Sequence, residues 1–205
     1  ISANLITTNL SGTSLVGANL FSAKGMRADF SGSHLSGANL LKANLTRANL
    51  KESNFNDSDL TGANLTECNL ERAHFIRAIL VEANLLGANL SGADFGEAKL
   101  TGRYQREGYF SRGANLSKAK LIGSNMRGAD ISGTEMMETD CTNADFTQAN
   151  LSEANFKHAI LKSTRFVKAK LGDADFRGAQ FIDCDFSGAE LIEAKFQGVD
   201  LSSVK

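Results

Sequence analysis

A hydrophobic residue recurs at every fifth position along almost all of this 205-residue chain. The series runs from Leu5 to Leu100, failing only at Gly25, and resumes one residue out of phase from Leu116 to Leu201. Leu or Phe fills 33 of these 38 central positions. The residue two places earlier is always Ala, Ser, Thr, Cys or Val, and it is Ala in 26 units. Such an internal repeat constrains the fold more than any other feature of the sequence.

The period of five fits neither an α-helix, which repeats every 3.6 residues, nor a continuous strand, which repeats every two. It predicts a short extended piece followed by a turn, many times over. The small and the large residue of each unit lie two places apart, so both point to one side, which must be the interior. Asn or Asp usually stands between them, 14 of the 19 Gly residues end a unit, and Pro is absent. These choices suit repeated turns and an unbroken backbone ladder.

The repeated motif A-(N/D)-L-x-x resembles the pentapeptide-repeat family, and the resemblance covers about nine tenths of the chain. It implies an all-β fold, a right-handed quadrilateral β-helix with four pentapeptides per coil and about nine to ten coils in total. We expect one domain over residues 1–205, with repeat blocks at 1–102 and 114–205 separated by a loop or bulge at 103–113. Clear copies of the motif are Ala38-Asn39-Leu40, Ala43-Asn44-Leu45, Ala48-Asn49-Leu50 and Ala149-Asn150-Leu151.

The repeat is interrupted by the segment RYQREGYFSRG at residues 103–113. If these residues are surplus to the repeat, they form a protruding loop between two regular units. In the alternative, Phe110 remains a central residue and Gly113 is a one-residue bulge. Gln105 would then point into the core and Arg103 would occupy a small-residue position, and both arrangements are costly. The sequence therefore favours the protruding loop.

This interrupting segment is the first candidate site for binding a partner. It holds both tyrosines of the chain and a local charge of +2. Tyr and Arg often anchor protein interfaces, and loops on rigid scaffolds often carry function. The alternative is a packed loop whose aromatic rings cover a face of the β-helix. The candidate contact residues are Arg103, Tyr104, Arg106, Tyr109, Phe110 and Arg112.

Charge indicates a second candidate surface. Residues 20 apart stack on one face if each coil has four units, and one face of the second block then has a net charge of −4, with Lys170 as its basic residue. The whole chain is nearly neutral, with 22 basic and 23 acidic residues. This balance excludes a strongly basic DNA-binding protein, and no direct nucleic-acid binding is expected. The candidate acidic face consists of Asp130, Glu153, Asp173, Glu190 and Glu193.

The sequence contains no arrangement typical of catalysis, and we expect no catalytic, cofactor-binding or metal-binding residues. Cys68, Cys141 and Cys184 all fall on inward positions, which predicts small buried side chains rather than disulfides or a zinc site. His34 and His74 should lie about two coils apart, roughly 10 Å at the usual strand spacing, which is too far to share a metal ion. Membrane insertion is not expected either, because no apolar run approaches the ~20 residues of a membrane-spanning helix.

Four consecutive central residues are neither Leu nor Phe, and together they would fill the centre of one coil. We expect this coil to be the least rigid in the β-helix. The simpler interpretation is neutral variation in packing, and the alternative is local deformability near a binding site. The four residues are Met126, Ile131, Met136 and Cys141.

We therefore expect a non-enzymatic, rigid scaffold for protein–protein interaction, with an unknown protein partner. The family resemblance implies an alternative, because some pentapeptide-repeat proteins protect type II topoisomerases from quinolones by presenting an acidic, DNA-like surface. Those relatives dimerise through their C-terminal coils, which implies a homodimer here. The ends show no recognisable caps, so trimming, end-to-end dimerisation and neighbouring domains are all open explanations. The compartment is open too, with the cytoplasm slightly favoured.

Overall fold

The computed structural model describes residues 3–101 and 113–205, and in both ranges the chain winds into a β-helix. Each unit pairs in parallel with the unit 20 residues further along, as Asn4 does with Lys24 and Asn64 with Asn84. Twenty residues are four units of five, so each coil has four sides. The four units per coil implied by the family resemblance are therefore confirmed.

Most sides of a coil are too short to form a regular strand, since a corner follows within two residues of each paired position. Two longer strands occur, β1 (Ile160–Lys162) and β2 (Gln180–Ile182). They pair in parallel, with Ile160 opposite Gln180. The rest of the described pairing consists of isolated parallel bridges. Neither described range contains a helix with the length and hydropathy needed to cross a membrane.

Backbone hydrogen bonds tie each side to both neighbouring coils. The N–H of Leu45 donates to the Asn64 carbonyl of the next coil at 2.8 Å, and the N–H of Asn64 donates back to Ala43 at 2.8 Å. The corner that follows Leu45 is closed by the N–H of Ala48, which donates to the Leu45 carbonyl at 2.8 Å. Because this pattern repeats in each unit, the buried backbone groups have partners without any long strand.

The interior is filled by two kinds of ring, as the alternation of large and small residues predicts. Central residues from Leu20 to Phe186 and small residues from Ala23 to Cys184 are buried throughout the described ranges. Phenylalanines stack from coil to coil, for example Phe75 on Phe95 with ring centres 4.6 Å apart. Each buried Leu or Phe contributes roughly 1.5–3 kcal/mol of transfer free energy, so the core is the main source of stability.

The corners place the last residue of a unit in the left-handed region whatever its side chain. Arg47 has a φ of 60° and Gly62 a φ of 64°, and each described residue with positive φ stands at this position. Glycine adopts this conformation without steric cost, whereas other L-residues are disfavoured there. This explains why Gly concentrates at the end of the unit.

Candidate functional site

The described backbone ladder continues on both sides of the interrupting segment. Asn84 pairs with Asn115, and Lys99 with Asp130, so partners here are 31 residues apart, eleven more than the usual 20. The N–H of Ala114 donates to the Leu100 carbonyl at 2.8 Å, the same bond that closes a regular corner. In the described residues the ladder therefore continues from Leu100 to Ala114 with its register shifted by eleven residues.

Two residues anchor this interruption on the next coil. The Thr101 hydroxyl lies 2.8 Å from the Ser132 hydroxyl. Gly113 packs so closely on the following corner that a Cβ there would lie 2.6 Å from the carbonyl oxygen of Gly133. Only glycine fits at such a distance from backbone atoms, so Gly113 belongs to the packed corner. Both residues that flank the interruption thus contact the next coil.

The candidate contact residues themselves lie outside the described residues, between these two anchors. Their role in binding stays a prediction made from residue type and charge. They are Arg103, Tyr104, Arg106, Tyr109, Phe110 and Arg112.

The five residues of the candidate acidic face lie on adjoining columns of the second block. Asp130 and Glu190 belong to one ladder column, which runs through Asn150 and Lys170. The other three residues of the face stand at the corners beside this column. The backbone N–H groups of Glu153 and Asp173 each donate to the next coil. Glu190 is exposed and Asp130 is half-buried. The corner residues, all exposed, are Glu153, Asp173 and Glu193.

Ion pairs link neighbouring coils at several places outside the acidic face. Elsewhere, oppositely charged residues 20 positions apart face each other across adjacent coils, as in Arg47–Glu67 at 2.6 Å and Asp57–Arg77 at 2.7 Å. Within residues 3–101 and 113–205, none of the five acidic-face residues forms an ion pair. The carboxylates of this face thus lack direct ion pairs in the described ranges, but Lys157 and Lys195 line one concavity together with Glu153 and Asp173.

A neutralised carboxylate borders this face. Asp175 is buried, and its oxygens accept hydrogen bonds from the Arg177 guanidinium at 2.7 Å and contact the Lys157 ammonium at 3.3 Å. The Arg177 side chain, helped by the Arg177 N–H and Lys157, outweighs desolvation and holds the pKa of Asp175 far below its usual range. This cluster joins two coils, and its two cations and one carboxylate give it a net charge of +1.

The C-terminal coils form an apolar end surface. A concavity with a volume of about 220 Å³ is lined mainly by large hydrophobic side chains. Leu191 and Leu201, two of its lining residues, are 40% and 41% exposed. The other apolar lining residues are Phe186, Phe196 and Val204.

The three cysteines are buried, as predicted from their inward positions. Desolvation raises the pKa of both Cys68 and Cys141 to about 12, so neither thiol is reactive while its coil is closed. In the described ranges no three His, Cys, Asp or Glu side chains come together as a metal site would require.

Sequence reasoning missed the charge pairs that join successive coils, although the signal was available. Once four units per coil are assumed, Lys51 stands opposite Glu71 and Lys118 opposite Glu138, and both pairs form. The role of Gly113 carried no such signal, because its requirement comes from the close approach of two backbones.

Comparison with known proteins identifies relatives of this fold. A family profile described as Pentapeptide repeats matches with 8 copies over residues 28–67, 68–102, 112–140, 139–178 and 169–205. The chain is similar in structure to HetL, a pentapeptide repeat protein involved in heterocyst differentiation regulation from the cyanobacterium Nostoc sp. strain PCC 7120. That similarity has 29% identity and a TM-score of 0.65, and covers 96% of this chain and 88% of HetL.

Two further solved structures are more distant. A trypsin-treated form of QnrB1, a plasmid-mediated fluoroquinolone resistance protein, has 21% identity and a TM-score of 0.38 over 100% of this chain and 91% of its own. Rfr23 from the cyanobacterium Cyanothece 51142 has 23% identity and a TM-score of 0.30 over 59% of this chain and 89% of its own. No curated protein matches the chain.

The family profile spans far more than half of the sequence, and the HetL structure corresponds to nearly all of it. The right-handed quadrilateral β-helix implied by the family resemblance is confirmed. The chain belongs to the pentapeptide-repeat family.

Proposed function

We propose that this protein is a non-enzymatic, rigid scaffold that binds another protein through the segment at residues 103–113. The observation that carries the proposal is the way the ladder closes around this segment, with Ala114 bonded to Leu100 at 2.8 Å. A segment rich in Tyr and Arg is thus attached at both ends to a regular β-helix. Residues of these types are common at the centres of protein interfaces.

The rigidity of the β-helix supports this role. Each coil is bonded to both neighbours, and its core residues are buried over most of the described length. A binding segment whose two ends are fixed loses less conformational entropy on binding than a free one. HetL, which has the same fold, is described as involved in the regulation of differentiation, and a regulatory scaffold is consistent with that role.

The test is a pull-down from lysate of the source organism, with the intact chain and two variants. The first variant carries Arg106→Ala, Tyr109→Ala and Arg112→Ala. The control carries Arg27→Ala, Phe21→Ala and Arg127→Ala, which likewise removes two guanidinium groups and one aromatic ring, but from the β-helix surface. We expect a partner that binds the intact chain and the control but not the first variant. A partner that binds all three would contradict the proposed site.

We also propose that two copies associate through the C-terminal coils. The support is the apolar end surface, where Leu191 and Leu201 are 40% and 41% exposed. Light scattering after size-exclusion chromatography should report a dimer for the intact chain and a monomer for Leu201→Asp. The control is Val16→Asp, because Val16 is 63% exposed on the first coils, and this variant should remain dimeric. A monomer at high concentration of the intact chain would refute this part of the proposal.

A second candidate function is regulation of a type II topoisomerase as a partial DNA mimic. The acidic face favours it, since its five carboxylates lack ion pairs in the described ranges. The near-neutral net charge of −1 argues against it, because DNA carries a charge about every 1.7 Å along its axis. A gyrase supercoiling assay decides between the two functions. Inhibition by the intact chain that is lost in Glu153→Gln/Asp173→Asn/Glu193→Gln would favour the topoisomerase, and no effect would favour the scaffold.

A further inference from the structure

One coil differs from its neighbours in what fills its centre. We refer to residues 124–143 as the 124–143 coil, and its central residues are fully buried. Phe75 and Phe95 stack before it, and Phe146 and Phe166 stack after it with ring centres 5.3 Å apart. Met126 stands between the two stacks, so the column of aromatic rings is interrupted here. An unbranched, flexible side chain specifies packing less strongly than a phenyl ring.

The same coil has the longest corner hydrogen bonds in the described ranges. The N–H groups of Thr134 and Thr139 lie 3.4 Å from the carbonyl oxygens they face, against 2.8 Å for Ala48 in a regular unit. The cause is visible at each corner, because the threonine hydroxyl donates to the same carbonyl. The Thr134 hydroxyl is 2.7 Å from the Ile131 oxygen, and the Thr139 hydroxyl is 2.8 Å from the Met136 oxygen. Side-chain bonds of this kind compete with the backbone structure.

A third defect lies in the same coil. The Ser124 hydroxyl is buried and has no hydrogen-bond partner among the described residues. A buried polar group without a partner costs free energy, whereas the Ala found at most equivalent positions costs none. Weak packing, weak corners and an unsatisfied hydroxyl therefore coincide in one coil.

We propose that the 124–143 coil is a joint, at which the β-helix opens locally before the coils on either side do. The insertion anchors rest on this coil, since Thr101 contacts Ser132 and a Cβ at Gly113 would meet Gly133. The joint therefore divides the β-helix into two stiffer blocks next to the segment proposed to bind a partner. Stability in repeat proteins is a sum of local terms, so one weak coil need not weaken the others.

The cysteines report on this opening without any label. Cys141 lies in the joint with 0% exposure, and Cys68 lies in the first block with 1% exposure. Burial raises the pKa of both thiols equally, to about 12. If the β-helix were uniform, the two cysteines would be alkylated at similar rates. Any large difference therefore measures local opening rather than exposure in the closed state.

The experiment is alkylation of the intact, native chain with iodoacetamide, followed by peptide mass spectrometry. The rate at each cysteine is divided by its rate in denaturant. We expect Cys141 to react about tenfold faster than Cys68, since one unsatisfied buried hydroxyl alone is an effect of that order. Equal rates, or a faster Cys68, would overturn the proposal.

Two single variants identify the cause. Thr134→Ala restores the commonest small residue and should slow the reaction of Cys141 several-fold, and Thr139 is left in place because its hydroxyl lies 3.5 Å from the Cys141 thiol. The matched control is Ser53→Ala, which removes an equivalent hydroxyl-to-carbonyl bond of 2.5 Å from the first block. It should leave the Cys141 rate unchanged.

Cys184 distinguishes a joint from fraying of the C-terminal coils. It lies between Cys141 and the last coil, so opening that spreads from that end must reach Cys184 first. If Cys141 reacts no faster than Cys184 and its rate does not respond to Thr134→Ala, opening begins at the end and the joint does not exist. A Cys141 rate that responds to this substitution supports the joint.

Discussion

At the scale of single residues, Gly25 shows how the core tolerates one missing side chain. A Cβ at this position would lie 2.7 Å from Cδ2 of Leu45 and 3.4 Å from Cε2 of Phe30. Those two neighbours therefore occupy the space that a central Leu fills elsewhere. We infer that Gly25 and the large ring of Phe30 form a compensating pair.

This pairing predicts non-additive substitutions. Gly25→Leu should overpack the core and cost roughly 1–3 kcal/mol in the free energy of unfolding, because cores are close-packed. Adding Phe30→Leu should recover most of this loss, although Phe30→Leu alone also destabilises. Urea unfolding of the wild type, both single variants and the double variant measures the coupling. Purely additive effects would show that the two residues do not share one space.

Amide side chains on the outside of the coils form directional chains. Nδ2 of Asn49 donates to Asp29 at 3.0 Å, and Nδ2 of Asn69 donates to Asn49 at 3.2 Å. Each later side chain in such a hydrogen-bonded series must both donate and accept, whereas the first needs only to accept. This explains why Asp29 begins this series and Asn side chains continue it.

At the scale of the unit, the corner is the element most sensitive to backbone crowding. Gly113→Ala should bring a Cβ against the Gly133 carbonyl and force the two coils apart, at a cost of roughly 1–3 kcal/mol. The control is Gly123→Ala, since a Cβ there meets nothing within 4 Å and the change adds only the cost of a φ of 63°. Thermal unfolding should give the lower Tm for Gly113→Ala. A lower Tm for Gly123→Ala would mean that backbone conformation matters more than the close approach.

The unit also explains how much the sequence could predict. Each five-residue unit repeats the same arrangement of inward and corner residues, so Leu45 and Ala43 could be placed in the core from spacing alone. The acidic face could be located as well, because Asp173 and Glu193 follow Glu153 at intervals of 20. The position of Gly113 could not be predicted, since it depends on where the chain re-enters the ladder. The crowding between Gly25 and Phe30 was equally hidden, because packing across sides has no period.

At the scale of the whole molecule, carboxylates make stability depend on pH. Hydrogen bonds from the Arg77 side chain lower the pKa of Asp57, and those from the Arg177 side chain lower that of Asp175. A carboxyl with a lowered folded-state pKa stabilises the protein above its ordinary pKa, near 3.8. That contribution is lost as the pH falls through the folded-state value. The other described carboxyls with lowered pKa are Asp29, Glu67, Asp145, Asp185 and Asp200.

The expected result is a Tm that changes little between pH 7 and pH 5 and falls steadily below about pH 4. Thermal unfolding followed by circular dichroism measures it. Asp175→Asn should have a lower Tm at pH 7 and a shallower loss in acid, because one of the contributing carboxyls is gone. A Tm that stays constant down to pH 2 would show that these contacts do not stabilise the folded state.

The final prediction concerns a deletion of residues 102–112, because the described ladder continues on both sides of them. Joining Thr101 directly to Gly113 gives Leu100, Thr101, Gly113, Ala114, Asn115 and Leu116, in which Leu116 stands five places after Leu100. The Ala114–Leu100 bond is already that of a regular corner. In the deletion variant Gly113 would become the last residue of that unit, where glycine can adopt the required positive φ at little cost. The eleven-residue deletion should therefore retain the circular dichroism spectrum and cooperative unfolding. Its free energy of unfolding should stay within about 2 kcal/mol of the full chain, because closing a short loop costs little.

This deletion tests whether the five-residue register continues from Leu100 to Leu116. Its control is a deletion that is one residue shorter. Removing only residues 103–112 leaves Gly102 as an extra residue at the corner, which must be accommodated by a bulge. Urea unfolding should rank the eleven-residue deletion above the ten-residue deletion in stability. If the eleven-residue deletion instead abolishes cooperative unfolding, residues 102–112 contribute to the core. The two blocks would then depend on that segment rather than on the ladder that passes it.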